Sequence, residues 1–317
     1  MYLSILVPLD GSPLSERALP LAQDLARRAG VALRLAHVHI PSPAPVYMAE
    51  LPLADTQPGE RACEAERAYL DAVARRLRAD SGISVDTVLL EGAITDTVAD
   101  LIAAQVREQP VDLVAMTTHG RGGLARFWLG SVADELVRRL PVPLLLLRPD
   151  AHAPSAAAAH TPRRILIPLD GSANAESVLP HALALGQAMQ AEYRLVRVVE
   201  PVMVARPLPT NPAVRALDDQ LIDQLRVEAQ TYLEQLAERL AAQGLTAQIE
   251  VIVAPQAALA ILEAAQQGGT DVIAMATHGR RGLARVLLGS VADKVLRGAI
   301  APVLLYRAIA QQESRTT

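Results

Sequence analysis

A stretch of 20 residues occurs twice in this chain, and it limits the possible folds more than any other feature. Residues 115–134 read AMTTHGRGGLARFWLGSVAD and residues 274–293 read AMATHGRRGLARVLLGSVAD, so the two copies differ at four positions. A second pair of matching segments, ILVPLDGS at 5–12 and ILIPLDGS at 165–172, stands upstream of the copies at almost the same spacing. Repetition over this length predicts two copies of one domain.

The chain of 317 residues also has the length expected of two domains. We expect domains at 1–149 and 162–309, a linker rich in proline and alanine at 150–161, and a tail at 310–317. Within each half, short apolar runs alternate with segments of helical periodicity, which is typical of a parallel sheet covered by helices on both faces. In the first half the strands are predicted at 3–9, 31–39, 84–91, 111–117 and 142–148, and the helices at 14–29 (bent at Pro20), 60–80, 94–107 and 131–140.

The repeated stretch has the composition of an anion-binding site. An apolar strand leads into a glycine-rich bend, and an amphipathic helix then begins near Gly130. We predict Ser131 as the N-cap of this helix, with Asp134 completing a capping box. Backbone N–H groups, the helix dipole and nearby arginines such as Arg121 would hold a phosphate there. The alternative is an ordinary strand-to-helix turn in which Ser131 is only a cap.

An aspartate follows the first strand of each half, in the segment Pro-Leu-Asp-Gly-Ser at 8–12 and at 168–172. Ligands of open α/β sheets bind at the carboxyl ends of the central strands, so Asp10 and Asp170 are candidate ligand contacts beside the glycine-rich loops. Aspartate is also common in turns and helix caps, and a purely structural role is the alternative.

Composition excludes several classes of function. The formal net charge of −4 provides no basic surface for nucleic acid, and no apolar run approaches the roughly 20 residues of a membrane helix. Cys63 is the only cysteine, which rules out an intrachain disulfide and fits a reducing compartment. The apolar segment at 1–9 has no basic leader and meets Asp10 directly, which indicates a strand and not a signal peptide. We therefore expect a cytoplasmic protein with no nucleic-acid partner and no membrane association.

The sequence offers little support for a catalytic site or a metal site. His119, Asp10 and Ser131 contain the groups of a hydrolytic triad, but Ser131 is not in a Gly-x-Ser-x-Gly elbow and its hydroxyl is assigned to the helix cap. The chain has one lysine and no Gly-Lys-(Ser/Thr) segment, so a Walker-type ATPase is not expected. His37 and His39 share one face of a strand but show no further ligand spacing, so no protein metal site is predicted.

Together these segments resemble the universal stress protein family, in its tandem two-domain, ATP-binding form. Its motif Gly-x2-Gly-x9-Gly-(Ser/Thr) is matched at Gly120 and Gly130-Ser131 and at Gly279 and Gly289-Ser290, with Thr117 and Ala276 in place of the first glycine. The resemblance implies two tandem doubly wound α/β domains, each an open five-stranded parallel sheet of order 3-2-1-4-5, and a nucleotide (ATP, ADP or AMP, with Mg²⁺ at the phosphates) where the strand order reverses. The implied contact residues are Pro8, Leu9, Asp10, Val38, Met116, Thr117, His119, Gly120, Arg121, Gly130, Ser131 and Val132 in the first half, and Pro168, Leu169, Asp170, Val198, Met275, Ala276, His278, Gly279, Arg280, Gly289, Ser290 and Val291 in the second.

The resemblance also implies a regulatory or signalling module of the stress response, without catalytic residues and with at most weak ATP hydrolysis. A protein partner of unknown identity would read nucleotide occupancy, for example through the loops at 41–58 and 200–213. The edge strands Val142–Leu147 and Val303–Tyr306 would pair within the chain as a pseudo-dimer, and a homodimer of whole chains is a further expectation. The alternative is a scaffold, or a carrier of a small apolar molecule, that has lost nucleotide binding together with the first motif glycine.

Overall fold

The computed structural model describes residues 4–41, 57–118, 129–148, 163–201, 212–277 and 288–308. The chain divides into two compact units, Met1–Thr161 and Pro162–Thr317. The predicted linker and tail lie outside the described residues. No helix in the described part of the chain combines the length and the apolar character that a membrane span requires.

Unit 1 alternates strands and helices along the chain. Its strands are β1 (Ser4–Pro8), β2 (Ala32–His39), β3 (Val85–Glu91), β4 (Leu113–Thr117) and β5 (Leu144–Leu147). Its helices are α1 (Leu19–Ala29), α2 (Gln57–Ser81), α3 (Val98–Glu108) and α4 (Ser131–Arg139). The strands pair in parallel in the order β3-β2-β1-β4-β5. Side chains of β1 and β4, such as Ile5, Leu6 and Leu113, are fully buried, as a central strand covered on both faces requires.

Unit 2 repeats this arrangement. Its strands are β6 (Arg164–Pro168), β7 (Glu192–Val199), β8 (Ala247–Val253), β9 (Val272–Ala276) and β10 (Val303–Tyr306). Its helices are α5 (Ala173–Glu176), α6 (Leu179–Met189), α7 (Pro212–Ala241), α8 (Ala257–Gln267) and α9 (Ser290–Gly298). The parallel order is β8-β7-β6-β9-β10. The predicted α/β class, with a five-stranded parallel sheet of order 3-2-1-4-5 in each half, is confirmed.

The segment after β1 differs from the single bent helix predicted at 14–29. A 3-10 turn at Ser15–Ala18 comes first, and α1 begins at Leu19 with Pro20 in its first turn. The first N–H groups of a helix have no partner within it, so proline costs no hydrogen bond at the start of α1. Gly30 ends α1 at φ +66°, a left-handed conformation that favours glycine, as predicted.

The long helix of each unit is attached to the segment after the first strand by one glutamate. The Glu16 carboxylate accepts a hydrogen bond from the Tyr69 hydroxyl at 3.0 Å and pairs with Arg76 of α2 at 2.6 Å. Burial and the neighbouring Glu16 carboxylate raise the pKa of Tyr69 well above its usual value, so this hydroxyl stays a donor. In unit 2 the same contacts join Glu176 to Tyr232 and Arg239 of α7. We call this arrangement the glutamate clamp.

Candidate functional site

The strand order of unit 1 reverses between β1 and β4, and this reversal creates the candidate site. Leu6 pairs with Val114 of β4, and Pro8 pairs with Ala36 of β2. Continuing both registers along the chain brings Val38, Asp10 and Thr118 to the same level at the carboxyl edge of the sheet. Adjacent strands that diverge after such a reversal leave a crevice above the edge, which is where open α/β sheets bind ligands.

Asp10 is held by a tight turn that the Asp-Gly-Ser segment forms. Its Oδ1 accepts hydrogen bonds from the backbone N–H of Ser12 at 2.9 Å and from the Ser12 hydroxyl at 2.6 Å. Gly11 between them has φ +79°, which is accessible to glycine at little cost. The backbone N–H of Asp10 donates to the Ser15 hydroxyl at 3.3 Å. The turn therefore fixes the carboxylate beside the first helical segment after β1.

Unit 2 builds the same turn from its own Asp-Gly-Ser segment. The Ser172 backbone N–H and hydroxyl donate to Oδ1 of Asp170 at 2.9 and 2.6 Å, and Gly171 has φ +81°. The Ser172 hydroxyl also accepts from the Ala175 N–H and so caps α5. The structural reading of the aspartate is confirmed, because Oδ1 serves the turn, and the position of the residue after the carboxyl end of the strand is compatible with the predicted ligand contact.

The helix after the glycine-rich loop begins differently from the prediction. Gly130 is the N-cap of α4, since its carbonyl accepts the first helical bond from the Asp134 N–H at 2.9 Å, and no side chain caps the helix. Ser131 is therefore the first helical residue and not the cap, and the predicted capping box is wrong. Asp134 pairs instead with Arg138, one turn further along the helix.

No side chain caps α4, and the same holds for α1, α6, α8 and α9, so what distinguishes α4 and α9 is their place at the strand-order reversal. In α3 the hydroxyl of Thr97 accepts from the Asp100 N–H and the Asp100 carboxylate accepts from the Thr97 N–H, which is a complete capping box. In unit 2, α9 starts at Ser290 after an N-cap at Gly289, again without a side-chain cap. An uncapped helix start presents backbone N–H groups and the positive end of the dipole to an incoming anion. The arrangement suits a phosphate.

Thr118 joins the strand to this helix start, and the sequence analysis did not single it out. Its N–H donates to the Leu147 carbonyl of β5 at 2.8 Å, and its carbonyl accepts from the Gly130 N–H at 2.8 Å. Thr277 makes the matching bonds to Tyr306 and Gly289 in unit 2. Both threonines are 2% exposed. Both copies of the repeat have threonine at this position, and that identity is the sequence signal that could have indicated it. The family motif does not include this position, because its first glycine corresponds to the residue before it.

The remaining predicted residues fall into two groups. Those described lie at or just after the carboxyl ends of strands, or in the first turn of α4 or α9: Pro8, Leu9, Val38, Met116, Thr117 and Val132 in unit 1, and Pro168, Leu169, Val198, Met275, Ala276 and Val291 in unit 2. Thr117 and Ala276, which replace the first motif glycine, are buried at the ends of β4 and β9. Outside the described residues lie His119, Gly120, Arg121, His278, Gly279 and Arg280, with most of the loops at 41–58 and 200–213.

Comparison with known proteins identifies the relatives of this fold and site. The family model described as the universal stress protein family matches residues 1–148 and, separately, residues 161–307. A universal stress protein of Mycolicibacterium smegmatis is 27% identical over 312 residues, which are 96% of each chain. Another, from Methanocaldococcus jannaschii, is 31% identical over 147 residues, which are 46% of this chain and 82% of the relative.

The fold agrees with these sequence matches. The crystal structure of a universal stress protein from Archaeoglobus fulgidus superposes with a TM-score of 0.65 at 19% identity, and the match covers 96% of this chain and 98% of that one. At this identity the likeness concerns the fold alone. Because the family model matches both halves, the chain belongs to the universal stress protein family and carries the family domain twice.

Proposed function

We propose that the chain is a nucleotide-binding regulatory module of the stress response, with one site for ATP, ADP or AMP in each unit. The observation that carries the proposal is the juxtaposition, in both units, of a turn-held aspartate and an uncapped helix start at the strand-order reversal. A nucleotide has the matching chemistry, since its ribose hydroxyls donate to a carboxylate and its phosphates accept from N–H groups.

The helix start is the phosphate end of the proposed site. The first N–H groups of α4 belong to Ser131, Val132 and Ala133, and Asp134 is already bonded to the Gly130 carbonyl. A phosphate would bind the preceding N–H groups and interact favourably with the helix dipole. Mg²⁺ would accompany the phosphates with water as its main ligand, because Mg²⁺ keeps several waters when it binds protein-held phosphates.

The sheet edge is the ribose and base end. Asp10 would accept from the ribose hydroxyls, because its turn presents a carboxylate at this edge. Val38 is half-buried at the end of β2, at the level of Asp10, and its backbone would contact the adenine. Asp170 and Val198 would play the same parts in unit 2.

A binding role fits these groups better than a catalytic one. Ser131 is exposed and does not cap its helix, so the capping argument against a nucleophilic serine no longer applies. The Gly-Ser-Val-Ala context still differs from a nucleophile elbow, which places the serine on a strained strand-to-helix turn between glycines. We therefore expect at most slow ATP hydrolysis.

The test is isothermal titration of nucleotide-stripped protein with ATP and Mg²⁺, compared with Asp10→Asn, Asp170→Asn and the double variant. Asparagine keeps an Oδ1 acceptor for the serine turn but removes the negative charge, so the fold is retained while ribose binding weakens. We expect two ATP sites in the wild type. Each single variant should lower the affinity of its own site at least tenfold, and the double variant should lower the affinity of both sites.

A matched control is Thr97→Ala, which alters the capped start of α3 and leaves the site untouched; it should titrate like the wild type. Saturable binding with unchanged affinity in the double aspartate variant would contradict the assignment of the ribose end. Absence of any binding in folded wild-type protein would refute the nucleotide proposal and leave the scaffold or carrier function.

A further inference from the structure

We propose that unit 1 contains a second site, between β2 and α2, that binds one Zn²⁺ ion through His39, Cys63 and Glu66. Ligand atoms of these three residues all lie within 4.8 Å of one another. The Nδ1 of His39 is 2.8 Å from Oε2 of Glu66. The proposal goes beyond the nucleotide site, because none of these residues belongs to it.

Regular secondary structure directs the donors toward each other. His37 and His39 are two residues apart on β2 and so project from the same face of the strand. Cys63 and Glu66 are three residues apart on α2 and so share one side of the helix. Strand and helix are packed together, and the two pairs of side chains therefore meet in the interface.

The donor set has the chemistry of a zinc site. Imidazole nitrogen, thiolate sulfur and carboxylate oxygen are the usual ligands of Zn²⁺, with bonds of about 2.0–2.3 Å. Donors around a tetrahedral ion of that size lie about 3.3–3.8 Å apart, so the cluster needs side-chain shifts of about 1 Å to close on the ion. Three protein ligands would leave the fourth position for water.

His37 supports the site from the buried side. Its Nε2 is 3.6 Å from Oε1 of Glu66, the oxygen that does not contact His39. The residue is 5% exposed, and its Nδ1 has no hydrogen-bond partner among the described residues. A buried, unsatisfied imidazole is costly. Its other nitrogen, Nε2, faces Glu66 and would orient that carboxylate in a metal site, a role that leaves the Nδ1 atom unexplained.

Unit 2 shows that the fold itself does not require these donors. Tyr69 and Tyr232 make the same hydrogen bond to the clamp glutamate of their unit. The sequences of α2 and α7 can therefore be aligned on these two tyrosines. At the positions of His37, His39, Cys63 and Glu66, unit 2 has Arg197, Val199, Arg226 and Ala229. The Arg197 guanidinium lies 5.1 Å from the centre of the Tyr232 ring, whereas the His37 ring meets Tyr69 edge-on. The same interface folds with two arginines and two apolar residues, so the four donors are specific to unit 1.

A redox role for Cys63 alone is less consistent with its surroundings. Burial, with Glu91 and Glu66 nearby, raises the pKa of the thiol, whereas reactive cysteines have a lowered pKa. Binding of a divalent cation among Glu66, His39 and Cys63 would compensate the carboxylate charge and displace the thiol proton. The raised pKa thus argues against a reactive thiol and does not itself favour a metal, which the distances between the donors support.

The test is titration of the full, nucleotide-free chain with Zn²⁺ by calorimetry, and with Co²⁺ as a spectroscopic probe of thiolate ligation. We expect one strong site per chain and a thiolate-to-cobalt charge-transfer band. Cys63→Ser should abolish the band, and His39→Ala should weaken Zn²⁺ binding at least tenfold. Circular dichroism of each variant confirms that it is folded.

Two controls separate the site from other sources of metal binding. His181→Ala removes a histidine of unit 2 that stacks on Tyr306, and it should leave the titration unchanged. Asp10→Asn should also bind Zn²⁺ normally, because the proposed ion does not depend on the nucleotide site. Wild-type protein that binds no Zn²⁺, or Cys63→Ser and His39→Ala variants that bind it as tightly as the wild type, would overturn the proposal.

Discussion

Substitution of Gly186 by alanine should destabilise unit 2, although alanine is the better helix former. Gly186 lies inside α6, where a β-carbon would overlap the ring of Tyr193 on β7: the ring Cζ would be 2.5 Å away, and Cε1 and Oη closer still. Ordinary contact begins at 3.4 Å, so the ring must move by about 1 Å. The Tyr193 hydroxyl donates to the Leu183 carbonyl at 2.8 Å, and such a movement would break this bond.

The magnitude follows from three contributions. Overpacking of a dense core costs about 1–3 kcal/mol. Loss of a buried hydrogen bond costs about 1–3 kcal/mol, and Tyr193 is only 4% exposed. Replacing glycine by alanine within a helix stabilises by about 1 kcal/mol. We expect a net loss of about 3 kcal/mol, which lowers the melting temperature of a unit of this size by about 6–12 °C.

Unit 1 supplies the control, because it has Ala26 and Leu33 at the equivalent positions, both fully buried. The double variant Gly186→Ala/Tyr193→Leu reproduces that pair and should recover most of the lost stability. Scanning calorimetry of the full chain measures the change, and hydrogen exchange of β7 peptides locates it in unit 2. A Gly186→Ala protein that melts higher than the wild type, or a double variant that is no better than the sum of its single changes, would refute the packing argument.

Two further predictions concern a helix start and a buried hydroxyl. Thr97→Ala should lower the free energy of unfolding by about 1 kcal/mol, because it removes one half of the capping box formed with Asp100; urea unfolding measures this, and a change below 0.3 kcal/mol would contradict it. Burial raises the pKa of Tyr193 to about 12, whereas a tyrosine of the unfolded chain ionises near pH 10. The folded state holds the proton more tightly, so this contribution is complete below pH 10 and is lost as the pH rises toward about 12. The melting temperatures of wild type and Tyr193→Phe should converge over that pH range. If the two curves of melting temperature against pH stay parallel, burial does not raise the pKa of this hydroxyl.

The order of elements in each unit could be predicted because the signals are local. Apolar runs, helical periodicity and the glycine at position 30 act through neighbouring residues. The starts of helices were harder to predict. Proline at position 20 fits both a bend and a first turn, and only the 3-10 segment before it decides between them. Serine is a preferred N-cap, yet the carbonyl of Gly130 takes the first helical bond, so the cap falls one residue earlier.

The site was partly predictable for the same reason. Asp10 stands at a strand end, and ends of parallel strands meet at one edge whatever the rest of the chain does. Thr118 depends on bonds to β5 and to the helix start, which a pattern along one segment does not contain. The donors His39 and Cys63 belong to different segments, separated by a proline-containing stretch. Their proximity depends on the rotation of α2 about its axis, which the apolar stripe of Leu70, Val73, Ala74 and Leu77 sets only once the helix packs on the sheet.

That rotation follows from the buried apolar stripe of α2, and the glutamate clamp adds two contacts that agree with it. A helix held at one point can roll about its axis, but Glu16 holds α2 at Tyr69 and again two turns later at Arg76. The Arg76 pair is largely exposed and contributes little by itself, so the clamp and the buried stripe together keep the side chains of α2 in place. Mutation can replace the side chains of α2 that face β2 while the helix and the strand stay in place. Unit 2 has different side chains at these positions on the same arrangement of helix and strand. Duplication of a domain with this clamp thus gives one chain two similar strand–helix interfaces whose side chains can diverge independently.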